Sequence, residues 1–222
     1  MYSKLIDFIR DLYSTNKPIP LHEPCFNEDE KEYLINAIDS GFVSSVGPLV
    51  AEFEDAIAAF TGSKFAIATV NGTAALHISL ILSGVKQNDE VLTQSLTFAA
   101  TANAIHYCKA LPVFLDADIE TLGLSVNALN DFLEEYCEIR DDGFCWNKST
   151  ERIVRACVPM HTFGLSAEII EIKKLCEKYK IILVEDSAES LGTLFHDQHS
   201  GTDGTFGILS FNGNKIISTG GG

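Results

Sequence analysis

The chain has 222 residues, 46% of them apolar and 21% charged, with a formal net charge of −15 at pH 7. This is an ordinary composition for a globular protein with one sizeable core, and the acidic balance excludes nucleic acid and anionic membrane surfaces as partners, since both need clustered Lys and Arg. Six cysteines without C-x-x-C pairing or zinc-type spacing exclude a disulfide scaffold and a metal site, and point to a reducing cytoplasm.

Charged residues Lys4, Asp7, Arg10 and Asp11 interrupt the first apolar stretch, so no signal-peptide core is expected, and no apolar run reaches membrane-spanning length. Helices are predicted over 4–13, 28–40 and 48–60, with Asn27 before Glu28-Asp29-Glu30 as a capping signature and Pro48 suited to a first turn. From Lys64 the pattern changes. Strands are predicted over 65–70, 90–93, 112–115, 153–159, 181–184 and 207–211, and helices over 73–82, 98–108, 126–136 and 167–179. Apolar strands separated by amphipathic helices imply an α/β fold: a mostly parallel sheet with helices on both faces. The polar, turn-rich stretch 138–151 is expected as a surface excursion, and His196, Asp197 and His199 as a solvated turn. Cys108, Cys157 and Cys176 sit in apolar segments as small buried hydrophobes. The organisation expected is a helical segment over 1–62 and a sheet-bearing domain over 63–222.

Chemistry concentrates at the turns that follow the strands. Asn71-Gly72-Thr73 opens a helix, whose unpaired N–H groups and dipole suit a phosphate, although an ordinary N-cap fits the same residues. Phe98 at the next strand-to-helix turn is either a ring that stacks on a planar ligand or a core aromatic. Asp186 ends the apolar run Ile181-Ile182-Leu183-Val184-Glu185, where open α/β sheets bind ligands. A buried carboxylate there needs a cationic partner, and an N-cap is the plain alternative. Glu189, three residues on, reaches a ligand or closes a capping box. Lys215 in Ser210-Phe211-Asn212-Gly213-Asn214-Lys215 precedes Ile216-Ile217, an apolar pair able to hold the loop inward. Alone it would be a solvated surface charge. His161 lies near another strand end, as a ligand contact or a satisfied core histidine. Together, a lysine that can hold an aldehyde as a Schiff base and an acid that can keep a pyridine nitrogen protonated are the charges that pyridoxal phosphate chemistry needs.

The strings from Val184 to Gly192 and from Leu209 to Gly222, with Ile19-Pro20-Leu21-His22-Glu23-Pro24, Phe42-Val43-Ser44-Ser45-Val46-Gly47 and Cys157-Val158-Pro159-Met160-His161-Thr162-Phe163-Gly164, resemble the DegT/DnrJ/EryC/StrS-type sugar aminotransferases. The likeness runs along essentially the whole chain, and is strongest to the sugar-nucleotide aminotransferases of legionaminic acid and bacillosamine-type pathways. It implies the large domain of fold-type I pyridoxal phosphate-dependent transferases, with Lys215 as catalytic residue. Gly72, Thr73, Phe98, Asp186, Glu189 and Ser210 are implied around pyridoxal 5'-phosphate, and His161 toward substrate. Many relatives carry Gln or His where Glu189 stands. The implied reaction moves an amino group from L-glutamate to a 4-keto-6-deoxy sugar nucleotide, UDP-linked, for a surface glycan or nonulosonate, in a cytoplasmic homodimer. The resemblance also implies further large-domain structure and a small C-terminal domain beyond Gly222, so that 63–222 is an incomplete domain. Two other readings stand beside it. One is an inactive remnant or N-terminal fragment of such an enzyme. The other is a sugar dehydratase of the same fold; those replace the lysine with histidine, so Lys215 argues against it.

Overall fold

A computed structural model describes residues 2–222. The chain opens with α1 (Ser3–Leu12), α2 (Glu28–Ser40) and α3 (Pro48–Thr61). Asn27 starts α2: its side chain accepts the Asp29 N–H at 2.7 Å, while its own N–H donates to Glu30 at 2.6 Å. Gly41, at φ 76°, ends that helix in the left-handed region. No residue of α1 or α2 is buried. In contrast, α3 docks on the domain through edge-on aromatic contacts, Phe53 to Phe211 at 4.9 Å and Phe60 to His199 at 5.9 Å.

Next come α4 (Gly72–Leu82), β1 (Glu90–Gln94), α5 (Ala99–Tyr107), β2 (Leu111–Leu115) and α6 (Val126–Tyr136). They are followed by the short strands β3 (Cys137–Ile139) and β4 (Cys145–Asn147), then β5 (Arg152–Val158), α7 (Ile169–Tyr179) and β6 (Ile182–Asp186). A two-residue hairpin, β7 (Leu194–Phe195) and β8 (Gln198–His199), precedes β9 (Phe206–Ile208). The parallel core of the sheet runs β2-β1-β5-β6-β9. The chain moves outward from β1 to β2, then returns to set β5 on the other flank of β1. This reversal makes a crevice at the carboxyl strand ends. Pro112 sits in β2, whose only neighbour is β1, so its missing N–H faces no ladder.

Period-two alternation fills both faces. Val91, Ala156, Val158, Val184 and Ile208 pack with α4 and α5, through residues such as Leu76, Leu80 and Ile105. Their strand neighbours Leu92, Cys157 and Leu183 pack the other way, with Leu129 and Leu133 of α6 and Ile169 and Ile172 of α7. The result is the expected helix–sheet–helix arrangement. Ile105 is 0% exposed, so Ile105→Val should lower unfolding free energy by about 0.5–1.5 kcal/mol in a denaturant titration.

Three expectations need correction. Residues 65–70 form no strand, because no strand among the described residues pairs with them. Among the described residues, their one side-chain anchor to another element is the Ala68 N–H on Glu54 at 2.7 Å, and Phe65, Ile67 and Val70 are exposed. Strand propensity without a ladder partner leaves extended coil. Residues 138–151 do leave the main layers, but they carry the antiparallel hairpin β3–β4, which extends the sheet through β5. Arg140 secures it, stacking on Trp146 at 4.7 Å and pairing with Glu138 and Glu151. His199 is not in a solvated turn. It is 4% exposed and its Nε2 accepts the Gly192 N–H at 2.8 Å, while the turn itself is made by His196 and Asp197 at positive φ. Of the cysteines, Cys157 and Cys176 are buried as expected, as are Cys137 and Cys145, and Cys108 is half-buried. Among the described residues, no helix is long and apolar enough to cross a membrane, and no His, Cys, Asp and Glu group has metal-holding geometry.

Candidate active site

A cavity of about 230 Å³ opens at the carboxyl strand ends, lined by Gly72, Thr73, Phe98, Asp186, Ser210 and Lys215 among others. They come from the start of α4, the residue before α5, the end of β6 and the loop after β9, which the sheet brings together. Asn71 caps α4 by accepting the Ala74 N–H at 2.8 Å. The N–H groups of Gly72 and Thr73, at the very start of that helix, have no acceptor within it. Gly72 is buried and closely packed: a Cβ there would lie 3.1 Å from Ser210 Cβ and 3.4 Å from Ser210 Oγ, so that Ser210 would have to give way by a few tenths of an ångström. Backbone amides, the Thr73 hydroxyl and the Ser210 hydroxyl therefore share one corner of the cavity, which is the chemistry of a phosphate cradle.

Asp186 also lines the cavity. It is 2% exposed and makes no ion pair within 4 Å among the described residues. Burial pushes its carboxyl up from the usual aspartate range. The Thr101 hydroxyl at 2.7 Å, the Ala188 N–H at 3.3 Å and the more distant Lys215 and His161 pull against that. A buried carboxylate facing a cavity without a contacting cation leaves room for one. Phe98 precedes α5 as its N-cap residue, 61% exposed, with the Lys215 Nζ 5.7 Å from its ring centroid.

Lys215 lies in a loop closed by its own backbone. Thr219 N–H donates to the Phe211 carbonyl at 2.8 Å, Gly213 N–H to Gly220 at 3.2 Å and Lys215 N–H to Asn212 at 2.9 Å. Ile216 and Ile217 are both more than half exposed, so the expected apolar latch is absent. The buried anchor is Phe211, held against Phe53 of α3. The lysine Nζ donates to Glu189 Oε1 at 3.3 Å, and Glu189 Oε2 accepts the Phe163 N–H at 3.0 Å. Glu189 thus stands behind the lysine and ties it to the turn Thr162–Gly164.

His161 is a correction. Its ring is 0% exposed, its Nδ1 accepts the Ala167 N–H at 3.1 Å, and its Nε2 lies 3.0 Å from Glu185 Oε2. With Nδ1 accepting, the proton sits on Nε2 and is donated to Glu185. Both ring nitrogens are spent inside the protein and the ring reaches no substrate. Burial alone would raise the Glu185 carboxyl, but His161 and the amides of Gly204 and Gly201 outweigh it and hold it below the usual range. Glu185 thereby fastens the loop that leads into β9.

Sequence reasoning missed Thr101, which lies directly against Asp186, and Gln94. Gln94 ends β1 fully buried and clamps Met160 in both directions, its Oε1 accepting the Met160 N–H at 2.9 Å and its Nε2 donating to the Met160 carbonyl at 3.2 Å. An amide at the end of an otherwise apolar strand, and a threonine three residues after Phe98 on the same helix side, were the available signals.

The sequence pattern described as the DegT/DnrJ/EryC1/StrS aminotransferase family matches residues 24–222. EpsN of Bacillus subtilis (strain 168), named as a pyridoxal phosphate-dependent aminotransferase, is 43% identical over 207 residues, covering 93% of this chain and 50% of its own. A GDP-perosamine synthase of Caulobacter vibrioides is 35% identical over 92% of this chain and 50% of its own. Among solved structures, an aminotransferase from Psychrobacter cryohalolentis superposes with a TM-score of 0.78 at 27% identity, over 92% of this chain and 47% of that one. The chain spans about half the length of the curated relatives it matches.

Proposed function

The chain belongs to the DegT/DnrJ/EryC1/StrS aminotransferase family, whose members use pyridoxal phosphate, and from that premise we propose that it supplies the cofactor-binding part of a sugar aminotransferase with Lys215 as its catalytic residue. The observation that carries this reading is one cavity holding a lysine amine, a buried carboxylate without a contacting cation and a helix start at Gly72 that abuts the Ser210 hydroxyl, where a Cβ would crowd. These are the three groups the cofactor's aldehyde, ring nitrogen and phosphate require.

When bound, pyridoxal phosphate supplies an electron-accepting ring on which an amino group is exchanged for a carbonyl oxygen. The amides of Gly72 and Thr73, with the hydroxyls of Thr73 and Ser210, hold the phosphate. Asp186 would keep a proton on the ring nitrogen, and the Phe98 ring would pack against the cofactor. Lys215 would hold the cofactor's aldehyde, and its amine, once free, would carry a proton to and from the amino donor's α-carbon. Glu189 holds that amine near the Phe98 ring, accepting from it at 3.3 Å.

The amino donor we propose is L-glutamate, and the acceptor a 4-keto-6-deoxy sugar nucleotide, UDP-linked, for surface-glycan or nonulosonate synthesis. A GDP-linked acceptor is the second reading, favoured by the relative named GDP-perosamine synthase. Lys215 is the one cation among the described lining residues. A nucleotide diphosphate entering a chain of net charge −15 needs more positive groups than that, which supports a homodimer of the longer protein as the working form. A cytoplasmic location fits the free cysteines. The segment over 63–222 would then be the larger part of the cofactor domain.

The test is direct. The purified chain is mixed with pyridoxal phosphate, its visible absorbance recorded before and after borohydride, and the modified peptide mapped. A reducible band with the label on Lys215 supports the proposal; no band, or a label on another lysine, overturns it. Gly72→Ala should introduce overpacking of about 1–3 kcal/mol against Ser210 and raise the pyridoxal phosphate Kd about tenfold, measured by absorbance titration.

A further inference from the structure

Asp186 faces opposed demands. It must be ionised to balance a ring cation, yet it is 2% exposed, where the neutral acid is favoured. The titratable groups that face it are Lys215 from the loop after β9 and His161 from beyond the end of β5; neither side chain touches the carboxylate, and the His161 N–H bonds the Asp186 carbonyl at 3.0 Å. Its direct partners are neutral. The Thr101 hydroxyl lies 2.7 Å from Oδ2, and the Ala188 N–H 3.3 Å from Oδ1. Thr101 itself is 0% exposed. It sits in the first turn of α5, where its N–H bonds the Phe98 carbonyl at 3.1 Å. One turn of chain thus carries an aromatic ring at the cavity wall and a hydroxyl beneath the carboxylate.

Behind Thr101 stands a second hydroxyl. Thr97 Oγ1 lies 3.1 Å from Thr101 Oγ1 and 3.5 Å from Met160 Sδ. Each hydroxyl has one proton to give. An ionised carboxylate only accepts, so Thr101 donates to Asp186, and Thr97 fills the acceptor position that Thr101 leaves open. The two bonds polarise each other, with Thr101 fully buried and Thr97 half-buried.

We propose that Thr101, backed by Thr97, is the positioning residue of this site, holding the Asp186 carboxylate charged and turned into the cavity. This rests on the pyridoxal phosphate reading for its purpose, and on contacts within the chain for its mechanism. Asp186 touches the cofactor; Thr101 acts through Asp186.

The test follows the titration of Asp186 in the cofactor-free 222-residue chain, by carbon-13 NMR of labelled aspartate carboxyls, with the Asp186 signal assigned by its loss in Asp186→Asn. Thr101→Val should move the midpoint upward, and Thr101→Ser should return it to the wild-type position. In the same Thr101→Val chain the pyridoxal phosphate Kd should rise roughly tenfold near neutral pH, and less at higher pH, where Asp186 ionises without help. An unchanged midpoint in Thr101→Val, or a serine variant that behaves like valine, overturns the proposal. Thr97→Val leaves the Thr101–Asp186 contact in place and should give a smaller shift in the same direction. It decides the matter where Thr101→Val does not fold, and no shift there counts against the proposal. Midpoints that move as expected in a chain that binds no pyridoxal phosphate would uphold Thr101's effect on Asp186 and overturn the cofactor reading instead.

Discussion

Lys215→Ala should abolish the borohydride-reducible visible band and remove the label from the mapped peptide entirely. No other lysine lines the cavity among the described residues, so nothing else is placed to take over the aldehyde. The fold should survive, because the loop is closed by main-chain bonds that alanine keeps, including the one from its own N–H to Asn212 at 2.9 Å. The lost ion pair with Glu189 matters little to stability. Glu189 is partly open to water and retains its bond from the Phe163 N–H, so the change should stay within about 1 kcal/mol. Lys215→Arg separates the two roles of the side chain. A guanidinium preserves the charge beside Glu189 but does not lose its proton to attack an aldehyde. The arginine variant should therefore bind pyridoxal phosphate without the band. A band that persisted unchanged in the alanine variant would sink the assignment of Lys215.

The layered fold was legible because its signals are local. The runs that became β1, β5 and β6 are apolar on both parities, which only a sheet covered on both faces tolerates. Asn27 and Asn71 mark helix starts by chemistry that acts within three residues. What failed depended on distant partners. Residues 65–70 have strand composition, but a strand exists only where another backbone completes its ladder. The hairpin β3–β4 hid in a polar stretch, because its buried face offers the core only the small Cys137 and Cys145, while its other face is held by the stacked Arg140 and Trp146. In the site, the strand-end rule located Asp186 and also drew in His161, although parity could have separated them. Met160 pairs with Asp186 across the sheet and both line the cavity. Their neighbours His161 and Glu185 then turn to the other face and meet each other. Thr101 was missed for a different reason. Its spacing three residues after Phe98 was the one signal, and that gains meaning only once the carboxylate above it is known.

Asp186→Asn should make the cofactor-free chain more stable and the cofactor-binding chain much weaker. Burial raises the folded pKa of Asp186 above its ordinary value. For an acid raised in this way the folded state binds more protons than the unfolded one, so stability falls as pH rises from the ordinary aspartate value through the raised one. Below that window both states are protonated and nothing is lost; above it the full penalty of a buried, unpaired charge remains. The asparagine variant carries no such charge. Its melting temperature should exceed that of wild type near pH 8, and the difference should shrink as the pH falls through the window. The gain is reduced by one lost acceptor, since an amide that turns its oxygen to Thr101 faces Ala188 with its NH2 group. Pyridoxal phosphate binding should change in the opposite sense. Removing the anion beneath a ring cation costs about 2–5 kcal/mol, at least roughly thirtyfold in Kd. A structural aspartate gives a different pattern, because its loss lowers stability whether or not ligand is present. Opposite signs in a melting curve and a binding titration of the same variant separate a carboxylate kept for a ligand from one kept for the fold, and a variant that melts lower yet binds as wild type would remove Asp186 from the site.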